Sequence, residues 1–206
     1  MYKWLYLILL TSITSDNHMQ RVLFPFSILL LLFIGISCQN SHVLFEENKK
    51  NWVLEGDAEW NFINGELTGI IKSGSGFIMT TQSYKDFVLE LEFKPDSTIN
   101  SGVFIRCSSM DIDAISCYEL NIWDLHPNQD FRTGAIVTRS VPLKKVETRN
   151  NWNQYKIKIK DDHILVWING ILTADMRDKT LIKGYIGLQA AGSGKISFRN
   201  IRINNL

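Results

Sequence analysis

The chain has 206 residues, with 22 Lys+Arg against 21 Asp+Glu, 45% hydrophobic and 11% aromatic residues. A formal charge of +1 supplies no long-range field to draw in nucleic acid or an anionic surface. The apolar share excludes a disordered chain, and four prolines without any low-complexity tract exclude fibrous and collagen-like architectures.

Near the N-terminus, Val22 to Ile36 read VLFPFSILLLLFIGI, with Arg21 in front and Ser37-Cys38 behind. A bilayer-spanning helix takes roughly 20 apolar residues, and this run has 15. A basic start, a short apolar stretch and small residues before a cut describe a secretory signal. The four residues Gly35-Ile36-Ser37-Cys38 resemble the lipobox of bacterial lipoproteins, with Gly35 where leucine is usual. That resemblance implies that Cys38 receives lipid and becomes the new N-terminus. A signal starting at Met19 would be complete by itself, so residues 1–18 read as a mis-assigned start. The expected organisation is a signal peptide over 1–37, a lipidated linker over 38–44 and one domain over 45–206. The protein is then exported and held on the bacterial cell envelope by its lipid, without spanning the membrane.

From Trp60 onward the pattern is strand-like. FVLELEFKP sets Leu89, Leu91 and Phe93 against Val88, Glu90 and Glu92, the alternation of a strand with one buried face. YKIKIK does the same with Tyr155, Ile157 and Ile159 against three lysines; DDH turns the chain and ILVWING returns as a hairpin partner. SGVFIRC, CYELNIW, TGAIVTR and YIGLQAAGSGKISFRNIRI also read as strands. No persuasive 3.6-residue apolar pattern and no 40–45-residue repeat occurs, which predicts an all-β, two-sheet sandwich or jelly roll. Cys107 and Cys117 stand at the facing ends of two strands and would allow a disulfide; two buried free thiols are the other reading.

Chemistry concentrates on two of these strands. Alternation sends Gly102, Phe104 and Arg106 to one face of NSGVFIRC, opposite Val103, Ile105 and Cys107. In CYELNIWD it groups Glu119, Asn121 and Trp123. With Arg106 and Glu119 on one surface, a carboxylate, a guanidinium and an amide lie beside flat rings, which suits hydroxyl recognition and stacking on a sugar. A simple cross-strand Arg106–Glu119 pair and a core Trp123 are the plainer readings. The following loop carries Asp124, His126, Asp130 and Arg132 toward the rim of the same surface. The histidine spacing fits no zinc motif, the paired aspartates lack the calcium-loop pattern, and no nucleophile elbow or phosphate loop is present.

In order, GDAEWNFINGELTG, SYKDFVLELEFKP, NSGVFIRC, CYELNIWD, RTGAIV, WNQYKIKIKDDHILVWING and YIGLQAAGSGKISFRNIRI resemble the 3-keto-disaccharide hydrolase domain family over Phe45 to Leu206. The resemblance implies a concanavalin-like lectin/glucanase jelly roll, and activity on glycosides oxidised to a ketone at sugar carbon 3. Ordinary glycosidases need two carboxyl groups, whereas the Glu119-Asn121-Trp123 face offers one. A 3-keto sugar needs only one, because the ketone acidifies the carbon-2 proton and elimination then breaks the bond at carbon 1. Glu119 is the expected base and Arg106 the expected stabiliser of the enolate oxygen. Asn121 and Gln189 would orient hydroxyls, Trp123, Phe104 and Arg132 would contact substrate, and His126 or Asp124 would assist departure. No cofactor is required. A carbohydrate-binding lipoprotein using the same face without catalysis is the alternative, and a sheet packed on a partner is a third.

Overall fold

The computed structural model describes residues 41–47, 50–113 and 115–206. The proposed leader and Cys38 lie outside the described residues. Among these residues thirteen strands follow one another, beginning with β1 His42–Val43, β2 Trp52–Gly56, β3 Glu59–Ile63, β4 Glu66–Ile71, β5 Ser75–Thr80, β6 Phe87–Pro95, β7 Asn100–Cys107 and β8 Tyr118–Ile122. After a single 3₁₀ turn at Gln129–Phe131 come β9 Asn153–Lys160, β10 His163–Ile168, β11 Ile171–Arg177, β12 Tyr185–Ala191 and β13 Gly194–Asn205.

The strands form two sheets, and every pairing is antiparallel. One runs β11-β10-β9-β6-β13-β4-β3 with β1 added on β13; the other runs β2-β5-β12-β7-β8. This is the expected jelly-roll sandwich of lectin/glucanase type. The period-2 pattern decides which side chains meet between the sheets. Leu89 and Phe93 of β6 and Ile157 and Ile159 of β9 are fully buried, as are Val103, Ile105, Leu120, Ile122, Ile186 and Leu188 of the second sheet. Each such side chain contributes about 1.5–3 kcal/mol by leaving water. The lysines between them, Lys156, Lys158 and Lys160, stay exposed.

Two local departures from the sequence reading have physical causes. Asn169 and Gly170 both have positive φ (51° and 77°), so they form the tight turn that two such residues favour, and ILTADMR continues as a further strand, β11. TGAIVTR does not form a strand. It turns back on itself through Ile136–Ser140 bonds, with Thr138 at φ 62°, and lies along the free edge of β8. There Asn121 and Val137 donate to Ala135 and Glu119 carbonyls at 3.1 and 2.9 Å, and Gly134 donates to Asn121, so an otherwise open edge is covered.

The decisive local feature is in β7. Between Phe104 and Cys107 the strand spends one more residue than its partner β12 spends between Gly187 and Tyr185. Arg106 takes up the extra step with φ 52°, a β-bulge. Gly184 is pressed against this bulge, since a Cβ there would lie 2.2 Å from the Cys107 carbonyl oxygen. The bulge reverses the alternation beyond Ile105. Cys107 therefore joins the outward face with Phe104, and Cys107 and Cys117 form a disulfide with Cα atoms 4.2 Å apart. Closing this ten-residue separation restricts the unfolded chain by about 3 kcal/mol in the loop-entropy account.

Candidate active site

On the outward face of the five-stranded sheet, β8 presents Glu119 and Asn121 while Tyr118, Leu120 and Ile122 point into the core. Register places Glu119 opposite Phe104, and Asn121 opposite Gly102, which in turn faces Gln189 of β12. Gly102 is a floor without a side chain. A Cβ there would stand 3.2 Å from the Phe104 ring and 3.6 Å from Glu119 Cγ, so both side chains lean over it.

Glu119 is half-buried, and its side chain makes no hydrogen bond or ion pair among the described residues. Removal from water without a compensating cation pushes its carboxyl up to about 7. Its apolar surroundings explain why. Phe104 meets Phe77 edge-to-face with centroids 5.4 Å apart, and Met79 and the Cys107–Cys117 bridge complete a cluster onto which Met110 and Ile112 fold from the disulfide-closed loop. Phe77, Met79, Met110 and Ile112 are the site residues that sequence reasoning missed. The alternation in SGFIMT, with Phe77 and Met79 against Ile78 and Thr80, carried the signal for the first two.

Polar groups line the other side. Gln189 is 8% exposed, and its buried Oε1 has no partner. Asn121 donates from Nδ2 to the Phe131 carbonyl, which fixes the amide and leaves Oδ1 buried and unpartnered. Asn100 Oδ1, at the start of β7, is in the same condition. Buried acceptors lacking protein partners are uncommon, and here two of them flank the Gly102 floor. They are suited to hydroxyl donors of a ligand. Among the described residues, no group of three His, Cys, Asp or Glu is placed to hold a metal.

Several expected members stand elsewhere. Arg106 does not pair with Glu119: the bulge turns its fully buried guanidinium toward the ends of other strands. There it donates to the carbonyls of Lys85, Asp161 and Leu181 and to Asp86 Oδ1 at 2.7–3.0 Å. Asp124 is likewise a structural group and not a leaving-group acid. Its side chain is sealed from solvent, and it accepts Thr148 N at 2.6 Å and Thr148 Oγ1 at 3.0 Å. His126 and Trp123 pack on each other with centroids 4.5 Å apart, and Phe131 adds a third ring. His126 Nδ1 is engaged by Asn128, and no hydrogen bond or ion pair joins His126 to Glu119. Asp130, on the exposed 3₁₀ turn, donates its backbone N–H to Asn128 Oδ1. Arg132 is 3% exposed and bonds Glu147 Oε1 at 3.0 Å, with Nε and Nη1 unpartnered.

The fold has counterparts among known proteins. A candidate glycosyl hydrolase of Parabacteroides distasonis superposes with a TM-score of 0.71 at 27% identity, covering 81% of this chain and 99% of that one. A second from the same organism gives 0.65 at 20%, covering 76% and 89%. The carbohydrate-binding module CBM66 of Bacillus subtilis gives 0.59 at 19%, covering 75% and 96%, a likeness of fold alone. No curated protein matches. The sequence pattern of the 3-keto-alpha-glucoside-1,2-lyase-like domain matches residues 40–204, most of the chain, with Glu119 and its apolar wall inside the match. The chain belongs to that family.

Proposed function

We propose that the protein cleaves 3-keto-glycosides by elimination, with Glu119 as the base. The single observation that carries this reading is a lone carboxyl, held near neutral pKa by burial, beside unpartnered hydroxyl acceptors. Such a group is ionised enough at neutral pH to take a proton and basic enough to take one from a carbon acidified by a ketone. In the step proposed, the carbon-2 proton passes to Glu119 and its bonding electrons form an enolate onto the carbon-3 oxygen. The enolate then expels the carbon-1 substituent, whose oxygen leaves with the bond pair and takes up a proton, giving an unsaturated 3-keto sugar. Water adding across carbons 1 and 2 would convert this product into the hydrolysed sugar.

With Arg106 engaged elsewhere, the enolate oxygen needs another donor. Gln189 fits this role: its Nε2 makes no hydrogen bond among the described residues, and its strand lies one away from Phe104 on the same face. Asn121 Oδ1 would accept from a sugar hydroxyl. The fold shared with a carbohydrate-binding module favours binding without turnover as the other reading, and so does the placing of a second carboxylate of this face, Glu55 opposite Phe77, on β2 at the sheet edge farthest from β8 and Glu119.

The test uses a gluco-disaccharide and its 3-keto form in heavy water. Release of the leaving sugar from the keto form alone, with deuterium entering carbon 2 of unreacted substrate or product, is the expected result. Binding of both sugars with neither release nor exchange would replace the proposal with the binding module.

We also propose that the protein works on the outer side of the cytoplasmic membrane, anchored through lipid on Cys38. The short apolar run that ends at this cysteine supports the assignment. Cys38→Ser should move the protein from the membrane pellet to the soluble exported fraction. Unchanged pelleting would remove the anchor.

A further inference from the structure

The opposite sheet carries a groove of about 650 Å³ on its own outward face, remote in topology from Glu119. Its floor is a row running across four neighbouring strands: Arg202 of β13, Glu90 of β6, Lys156 of β9 and Trp167 of β10 stand opposite one another in register. At ~4.8 Å between strands the row spans ~14 Å, the length of roughly three pyranose rings. Gln154 and Asn200 line it as well.

Trp167 is the unusual member. Val166 and Ile168 on either side are buried in the core, whereas Trp167 is half-exposed on the outer surface. The other tryptophans of the described residues are occupied. Trp52 and Trp60 are buried, Trp123 packs on His126, and the Arg199 guanidinium covers Trp152 at 4.0 Å. Among the described residues, Trp167 has no stacking ring and no covering cation. A β-bulge in β11, where Thr173 is the extra residue, lies beside it. Bulges of this kind re-aim side chains next to functional surfaces.

Partners on the floor are divided between structural and available groups. Glu90 holds Lys156 at 2.9 Å, and Asn200 donates to Glu92 at 2.7 Å. The Arg202 guanidinium, the Gln154 amide and the Trp167 indole N–H make no hydrogen bond or ion pair among the described residues. The charged lining residues are two glutamates, one lysine and one arginine, so the groove is electrically balanced. That balance gives an anionic phosphate or polyanion no advantage. A flat ring with available donors and a held carboxylate suits a neutral polyol.

We propose that this groove is a second carbohydrate-binding surface, taking a short stretch of a neutral polysaccharide with Trp167 as its stacking platform. It goes beyond the Glu119 reading and does not depend on it. It would hold the protein on a polymer while the other sheet handles small glycosides.

The experiment is affinity electrophoresis of the full chain in native gels containing a mixed-linkage β-glucan, xyloglucan or soluble starch. At least one should retard the wild type. Trp167→Ala should weaken that retardation roughly tenfold, Trp167→Phe should keep most of it, and Glu119→Gln should leave it at the wild-type level. Turnover of a small 3-keto-glycoside by Trp167→Ala should be unchanged. Should Trp167→Ala fail to fold, Arg202→Ala and Gln154→Ala must each weaken retardation. No retardation of the wild type by any of the three polymers would overturn the proposal. So would wild-type behaviour of folded Trp167→Ala, or a loss produced by Phe77→Ala on the other sheet instead.

Discussion

Glu119→Gln is expected to lower turnover of a 3-keto-glycoside by about 10²–10⁴-fold while leaving sugar binding within a fewfold of wild type. The amide has the same shape and reaches the same hydroxyls but cannot accept the carbon-2 proton. In the wild type, kcat/KM should rise with pH through about 7, because the ionised carboxyl is the active form and burial holds its pKa there. The same burial has a stability signature with a defined sign. Below pH 4.5 the group is protonated in both folded and unfolded chains, and it exerts no effect on stability. Between 4.5 and about 7 the unfolded chain ionises first, so the folded state loses stability as pH rises. Discounted for partial exposure, that loss is about 1–2 kcal/mol. Glu119→Gln should therefore melt higher than wild type at pH 8 and at the same temperature at pH 4. Urea titrations at the two pH values check this. Equal stability at both would mean that Glu119 is well solvated and its proposed basicity unfounded.

The part of this site that was legible in the sequence is the part governed by strict alternation. Glu119, Asn121 and Phe104 share a surface because β8 and the first half of β7 are regular, and Gln189 joins them through the register of β12. The disulfide was legible as a possibility, since it needs only two strand ends facing each other. What alternation cannot show is a break in itself. One extra residue at Arg106 moves every later side chain of β7 to the other face, and nothing in the string SGVFIRC marks an arginine as the residue with positive φ. The same limit applies at Asp124, two residues past the last residue of β8. Its destination depends on Thr148, 24 residues away. The apolar wall was missed for a different reason. Met110 and Ile112 belong to an irregular loop with no period, and only the closed disulfide shows that it folds back over Phe104 and Met79.

Arg106→Met should destabilise the protein by about 3–5 kcal/mol, because it removes a sealed cation whose acceptors stay behind. The guanidinium ties together three chain segments distant in sequence: the Lys85–Asp86 approach to β6, the Asp161 turn between β9 and β10, and Leu181 before β12. Methionine fills a similar volume but leaves the Lys85, Asp161 and Leu181 carbonyls without the guanidinium donors and the Asp86 carboxylate with only the Asp161 N–H and Lys85. Arg106→Lys should recover only part of the loss, since one ammonium cannot reach acceptors spread around a planar fork. Turnover supplies the discriminating measurement. Per folded molecule at low temperature, Arg106→Met should retain activity within a fewfold of wild type, because the guanidinium contacts neither Glu119 nor Gln189. An unfolding midpoint near the wild-type value combined with a hundredfold loss of turnover would return Arg106 to the role of enolate stabiliser. The opposite pairing, a large fall in stability with turnover preserved, would fix it as the clasp that holds the β7 bulge in place.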